Sequence, residues 1–330
     1  MRAASDYALT MQGKTTKDII VRPFVDGQDE AGWIEIINRL NADLPDTTPV
    51  TREDYDIDRN APDFSAEGRF VAEKDGRVVG RIDAWVDPLD PEHKAFLGPP
   101  RVLPEYQRLG IGTLLLERGL DSYRARAVHR VRTFAREENQ ALQAFLGKHG
   151  FTPCRVISCM RRSLAELPSG VGENRQVEIC EPGTSNDDLR LACSLINDAM
   201  SEHYNFTPST LEQSRYWNDA MARRGVARFR HLARVNQEPA GILISSIDPK
   251  EIEASQKKRG CLDILAVRKQ FRHQGIGKAL MLSGMRKLKE RGMEEAELYV
   301  DDMNPVKALR IYQQLGFAVA RKISHFELTL

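Results

Sequence analysis

Two stretches half the chain apart carry one pattern. "YQRLGIGTLLLERGL" begins at Tyr106 and "FRHQGIGKALMLSGM" at Phe271, 165 residues later in a chain of 330. At that fixed offset Val102 matches Val267, and Gln107 matches Arg272. Gly110, Ile111 and Gly112 match Gly275, Ile276 and Gly277, and Asn139 matches Asn304. "KHGF" ending at Phe151 and "QLGF" ending at Phe317 match after one residue of slippage. A repeat this long exceeds the roughly 20–50 residues of a solenoid unit, so it means duplicated domains. The length also suits two cores of ordinary size.

Each half reads as alternating strands and helices. "DIIVRPF" is a strand, "DEAGWIEIINRL" a helix, and "GRFVAEKDGRVVGRIDAWV" a hairpin turning at Asp75-Gly76. The same plan returns as "RQVEICEP", "DDLRLACSLINDAM" and "RFRHLARVNQEPAGILISSI", with a turn over Asn236 to Pro239. Thr51 with Asp54, and Ser209 with Glu212, have capping spacing, so each opens a short second helix. A strand, the glycine loop with its helix, another strand, a helix starting near Asn139 or Asn304, and two last strands complete each half. Ile276, Leu280, Met281, Gly284, Met285 and Leu288 form one apolar helical stripe, ended by Gly292. Ile111, Leu115, Leu116, Gly119, Leu120 and Tyr123 fall in the same register. The expected organisation is a flexible leader over 1–17, an N-terminal unit over 18–166, a polar linker "LPSGVGENR" over 167–175, and a C-terminal unit over 176–330.

Several function classes drop out. Forty-eight basic and 47 acidic residues leave a net charge of +1, without the basic excess of a nucleic-acid binder. No stretch approaches the 18 or so apolar residues of a membrane span, and the start lacks a signal peptide's apolar segment. A cytoplasmic protein is expected. The five cysteines are odd in number and lack CxxC spacing, which argues against a disulfide framework or a zinc site; no metal is expected.

The repeated [Gln/Arg]-x-x-Gly-x-Gly lies at a strand-to-helix junction. A helix start leaves backbone N–H groups unpaired and carries partial positive charge, and glycines let the backbone approach an anion. Such a loop suits the pyrophosphate of a nucleotide cofactor. It is neither a dinucleotide fingerprint, because Leu115 or Leu280 stands where a third glycine belongs, nor a P-loop, because Lys278 is followed by Ala279.

The strand, "VRKQFRHQGIGKAL", helix, strand and "LYVDDMNPVKALRIYQQLGF" resemble the GNAT superfamily of acyl-CoA-dependent N-acyltransferases. The likeness occurs once per half, so the chain is similar to a tandem GNAT protein, and it also resembles the mycothiol synthase group. The resemblance implies an α/β (α+β) fold of two GNAT-like domains, each a mixed, mostly antiparallel sheet flanked by helices. It also implies acetyl-CoA, or another short acyl-CoA, as co-substrate. The backbone from Gln274 through Gly275, Ile276 and Gly277 to Lys278 would hold the pyrophosphate, with Arg272 and His273 beside it. The strand edge at Leu265 and Val267 would pair with the pantetheine arm, and Asn304 would cap the next helix or bond that arm. Gln107, Arg108, Leu109, Gly110, Gly112, Thr113 and Asn139 would do the same in the first half if that half binds cofactor at all.

The halves are unequal. In the family a Tyr on the last helix often returns a proton to the leaving thiolate. Tyr312 stands there in the second half, where the first has Leu146. In the alignment of the two halves, Pro99 and Pro100 stand where the second half has Ile264 and Leu265 of "DILA", and they have no N–H to donate. The second half is therefore expected to be catalytic. Asp263 is the candidate base, with Glu297, Asp301 and Asp302 as alternatives. His203, Tyr204, Asn205, Phe206 and Trp217 are candidates for substrate contact, or core aromatics. Cys261 has no recognisable partner His, so no covalent intermediate is expected. The expected reaction is acyl transfer from acyl-CoA to a primary amine of a small molecule or peptide, within a ternary complex. The alternatives are a non-catalytic acyl-CoA sensor or scaffold, and a mycothiol-synthase-like acetylation of a cysteinyl pseudo-disaccharide. The sequence leaves the acceptor and the oligomeric state open.

Overall fold

The first half runs β1 (Ile19–Pro23), α1 (Glu30–Asn41), α2 (Arg52–Arg59), β2 (Arg69–Lys74), β3 (Arg77–Val86), β4 (Ala95–Val102), α3 (Ile111–Ala125), β5 (Arg130–Arg136), α4 (Gln140–Lys148) and β6 (Thr152–Ser163). The second runs β7 (Val177–Cys180), α5 (Asn186–Met200), α6 (Leu211–Arg223), β8 (Ala227–Val235), β9 (Glu238–Ile247), α7 (Pro249–Ser255), β10 (Arg259–Val267), α8 (Ile276–Glu290), β11 (Glu295–Asp301), α9 (Ala308–Gln314) and β12 (Ala318–Thr329). The computed structural model describes residues 18–44, 46–87, 94–168, 177–204, 206–304 and 308–330. The expected leader and most of the expected linker lie outside the described residues.

Local chemistry sets these elements. Both hairpins turn on two left-handed residues, Asp75-Gly76 at φ 50° and 76°, and Asn236-Gln237 at φ 49° and 67°. That geometry matches strand twist. The second turn is thus tighter than the sequence suggests, and Pro239 already pairs with Arg234 in the ladder. Thr51 and Asp54 form the expected capping box. In the second half the box moves one residue on, to Thr210 and Gln213. Ser209 is unavailable there because Asn197 holds both its N–H and its carbonyl.

The expected apolar stripe of α8 is buried, as is its counterpart on α3. Each large side chain on the stripe contributes about 1.5–3 kcal/mol relative to exposure. Gly284 lets α8 approach the sheet closely: a Cβ there would stand 2.3 Å from Leu243 Cδ2 and 2.9 Å from Leu262 Cδ2.

The two halves form one sheet of twelve strands, ordered β1-β2-β3-β4-β5-β12-β6-β11-β10-β9-β8-β7. Among the described residues, only β4–β5 and β10–β11 are parallel. Each half ends in one long strand rather than two short ones, and those strands cross over. β12 pairs with β5, β6 pairs with β11, and β6 and β12 pair with each other. A bulge at Ala320 on β12 and another at Cys154 on β6, opposite His325 and Phe326, bend the pair without breaking its ladder. Helices cover both faces. The large cores lie under α3 and α8, and smaller clusters lie under α1–α2 and α5 on the opposite face.

Candidate active site

β10 and β11 are paired only from Arg259↔Glu295 to Cys261↔Glu297. Beyond that they diverge, and a cavity of about 510 Å³ opens in the V. On the other edge of β10 the ladder to β9 jumps from Leu262↔Ser245 to Ile264↔Ile244. Asp263 is the extra residue, and the bulge turns it onto the cavity. Leu265 and Val267 line the open strand edge.

The glycine loop forms the mouth. His273 and Gly275 are both left-handed, at φ 64° and 80°, so the chain turns twice before α8 begins. No side chain caps α8, and its first backbone bond is Ala279 N–H to Gly275 O. The N–H groups of Ile276, Gly277 and Lys278 therefore have no backbone partner among the described residues. Unpaired amides at a helix start favour an anion. His273, Ile276, Gly277 and Lys278 all line the cavity. Asn304 lines it too. Its expected capping role falls partly on residues outside those described. The Gln274 side chain turns away, donating to Gln270 O.

Arg272 has a duty the sequence did not suggest. Its Nε donates to Val267 O at 3.2 Å, Nη2 to Ala199 O at 2.9 Å, and Nη1 meets Glu202 at 3.2 Å. It ties the loop to the end of β10 and to α5. Gln107 repeats the first of these bonds, donating to Val102 O at 2.9 Å. The matched Gln/Arg position is thus an anchor for the loop in both halves.

Tyr312 projects from α9 into the same cavity and is 8% exposed. Burial pushes its phenol up to about 12. Its hydroxyl has no hydrogen-bond partner among the described residues, and its ring meets Phe317 edge-on. Asp263 is exposed at the cavity, while protein atoms pack around its other sides and thin its solvation. That desolvation raises its pKa, only partly offset by Cys261, Ser246 and Arg228. Ser246 Oγ donates to Asp263 Oδ1 at 3.1 Å. The Cys261 thiol is pushed well up by burial and by Asp263 beside it, so it is a poor nucleophile.

The other candidates separate. Asp301 lines the cavity but is held by Arg155 at 2.8 Å. Glu297 is buried in an arginine network: Arg161 donates to it at 2.6 Å, and Arg161, Arg259 and Arg321 also converge on Asp46 from the first half. His203 lines the cavity, whereas Tyr204 lies under Arg132 and Arg155 and meets Cys154 Sγ at 3.5 Å. The Phe206 carbonyl accepts from Lys94 at 2.8 Å. Asn205 lies outside the described residues.

In the first half α4 sits down on the loop. Arg108 and Gly110 repeat the left-handed turn at φ 63° and 84°. A Cβ on Gly112 would meet the Phe145 ring at 3.8 Å, whereas on Gly277 it would meet only β10 side chains. Thr113 N–H is drawn back to Gly110 O, and Thr113 Oγ1 lies 3.5 Å from His149. Leu109 packs against the core. Asn139 caps α4, accepting from Leu142 N–H, and Leu146 is fully buried where Tyr312 stands in the second half.

The sequence profile of the Acetyltransferase (GNAT) family matches residues 33–151 and again 193–317. The chain belongs to the GNAT family. It is a tandem GNAT acetyltransferase, and acetyl-CoA is the acetyl donor this family uses. It is 31% identical over 262 residues to a mycothiol acetyltransferase of Acidothermus cellulolyticus, covering 75% of each chain. Against that of Thermobispora bispora it is 29% identical over 258 residues, covering 76% of this chain and 80% of the other. Among solved structures, a tandem GNAT protein from the clavulanic acid biosynthesis pathway superposes with a TM-score of 0.72, at 15% identity, over 94% of this chain and 98% of that one. A GCN5-related N-acetyltransferase from Sphaerobacter thermophilus gives 0.68 at 19% identity, over 95% and 96%. Both share the fold. No helix of the described residues is long and apolar enough to cross a membrane, and none of their His, Cys, Asp and Glu side chains gather as a metal-holding group.

Proposed function

We infer that the second half of this GNAT protein acetylates a primary amine by direct attack within a ternary complex, and that the first half is non-catalytic. The observation that carries the reading is one cavity holding three unpaired helix-start amides at its mouth, and Asp263 and Tyr312 on its walls. The residues fit acetyl-CoA: the amides of Ile276, Gly277 and Lys278 suit its diphosphate, and the free edge at Leu265 and Val267 suits the amides of its pantetheine arm. When bound, it supplies an activated acetyl thioester. Asp263 takes the proton the attacking amine gives up, and Tyr312 holds the proton that the departing thiolate needs. The new bond is acetyl carbon to nitrogen, and the bond lost is acetyl carbon to sulfur. Arg272 keeps the loop in register, and the walls keep water from the thioester.

In the first half, Phe145 covering Gly112 and Leu146 in place of the acid both support a structural role for that half. A second reading, carried by the 31% identity to a mycothiol acetyltransferase, makes the acceptor the cysteinyl pseudo-disaccharide of a mycothiol-type step. A thiol-release assay with acetyl-CoA and a broad amine panel including that compound tests both. Release with at least one amine is expected. A flat response across the panel, with saturating acetyl-CoA, would sink the catalytic reading.

A further inference from the structure

A second cavity, of about 290 Å³, lies on the α5–α6 face of the sheet. Its floor includes Arg228 and Arg230 from β8, with Ile244 and Ile264 beside them, and its walls come from α5 and from Trp217 on α6. Ile264 lines the catalytic cavity as well, and its neighbour Asp263 is the proposed base. The two cavities thus share Ile264 as a wall, one residue from the bulge of β10.

The cavity has unspent polar capacity. The Arg228 side chain has no ion pair or hydrogen bond among the described residues, although it is partly buried and desolvation lowers its pKa, with Asp263 opposing. Arg230 is 6% exposed and gives one bond, from Nη2 to Asn218 at 2.7 Å. Its Nε is buried without a partner. Buried charged donors left unpaired are costly, and a ligand that completes them recovers that cost. At another part of the rim Asp63, reaching over from the first half, presents a buried Oδ1 that is also unpartnered.

We propose that this cavity is the part of the acceptor site that holds an anionic group, a carboxylate or a phosphate, on Arg228 and Arg230, so that the acceptor is an amine bearing an acidic group. Planar guanidinium groups suit either anion. Asp63 receives a hydroxyl or N–H of the same molecule. The acceptor's amine then lies at Asp263, beside the Ile264 wall that the two cavities share. The inference rests on the proposed acetyl transfer but concerns the acceptor alone.

The test is thiol release with matched amines: α-amino acids and dipeptides against their carboxamides, glucosamine 6-phosphate against glucosamine, and the uncharged cysteinyl pseudo-disaccharide. The expected result is an anionic amine with kcat/KM at least tenfold above its neutral counterpart. Which pair shows the gap says whether the anion is a carboxylate or a phosphate. Arg228→Met collapses that ratio towards one, and Arg228→Lys retains a larger share of it. A ratio is the right readout because removing Arg228 also alters the field at Asp263, which affects both members of a pair alike. Equal rates within every pair, a neutral amine preferred, or a ratio untouched by Arg228→Met would each overturn the proposal.

Calorimetry with acetyl-CoA alone separates the two layers. If acetyl-CoA fails to bind or no amine is turned over, the acetyl-transfer reading fails, and the subsite is decided by titrating the same anionic amines against Trp217 fluorescence. Saturable quenching lost in Arg228→Met supports the subsite, and no quenching overturns it.

Discussion

Replacing Tyr312 with Phe removes one oxygen from a buried ring. The Phe317 contact at 6.3 Å between centroids survives, and no hydrogen bond among the described residues is lost. The hydroxyl faces the cavity and holds no other group in place, so Tyr312→Phe should leave Tm close to that of wild type. Catalysis moves the other way. A positioned acid contributes roughly 10²–10⁴ in rate, which corresponds to about 2.7–5.5 kcal/mol of barrier. Thiol release should fall by that factor while calorimetry finds acetyl-CoA affinity within about twofold of wild type. Because burial holds the phenol up to about 12, it stays protonated through any ordinary assay, and no high-pH decline below that value should trace to it. Turnover within threefold of wild type would remove Tyr312 from the chemistry. A fall in Tm accompanying the loss of rate would refute the reasoning that separates its chemistry from its packing.

Further outcomes can be checked alongside. Asp263 must be ionised to accept a proton and its pKa is raised by desolvation, so kcat/KM should rise with pH through an inflection above the ordinary value of about 3.9; Asp263→Asn should abolish that limb. Asp46 is desolvated, yet bonds from Arg161 and Arg259 outweigh that and hold its carboxyl at about 2. A lowered folded pKa means the stabilisation is present above about 3.9 and is lost as pH falls through about 2. Asp46→Asn should cost about 2–3 kcal/mol near neutrality, read by denaturant unfolding, and flatten the acid limb of Tm. Truncation after Gly316 removes β12, the strand between β5 and β6, so the shortened chain should show no cooperative thermal transition.

Much of the fold was legible because its signals are local. The stripe on α8, the Asp75-Gly76 turn and the Thr51 capping box each lie within a short window, and all three form as read. The crossing of β6 and β12 has no such signal. Ile157 pairs with Ile323 across most of a domain's length of chain, and nothing near either residue specifies the partner. Asp46 is similar: its partners Arg161, Arg259 and Arg321 lie 115 to 275 residues away. At the site, Gly275, Asp263 and Tyr312 share a cavity; the repeat marked the glycine loop, and the resemblance to GNAT enzymes marked Asp263 and Tyr312 at positions where the two halves differ. The anchoring role of Arg272 was hidden because a basic residue beside an anion-binding turn invites a ligand contact. Its bond to Val267 O becomes visible only with the strand end in place. Arg228 and Arg230 alternate along a strand, and no local pattern marks them. Only the packing of α5 and α6 over them makes a chamber.

The most direct measurement is acetyl-CoA calorimetry on wild type, Gly275→Asp and Gly110→Asp. Both glycines are left-handed, at φ 80° and 84°, a conformation Asp tolerates better than most residues. A carboxylate about 4 Å from a diphosphate charge opposes it by about 4 kcal/mol at an effective dielectric of 20. The account predicts saturable heat in wild type that Gly275→Asp weakens at least tenfold and that persists in Gly110→Asp. No heat at millimolar acetyl-CoA, or binding lost in Gly110→Asp and kept in Gly275→Asp, would contradict it.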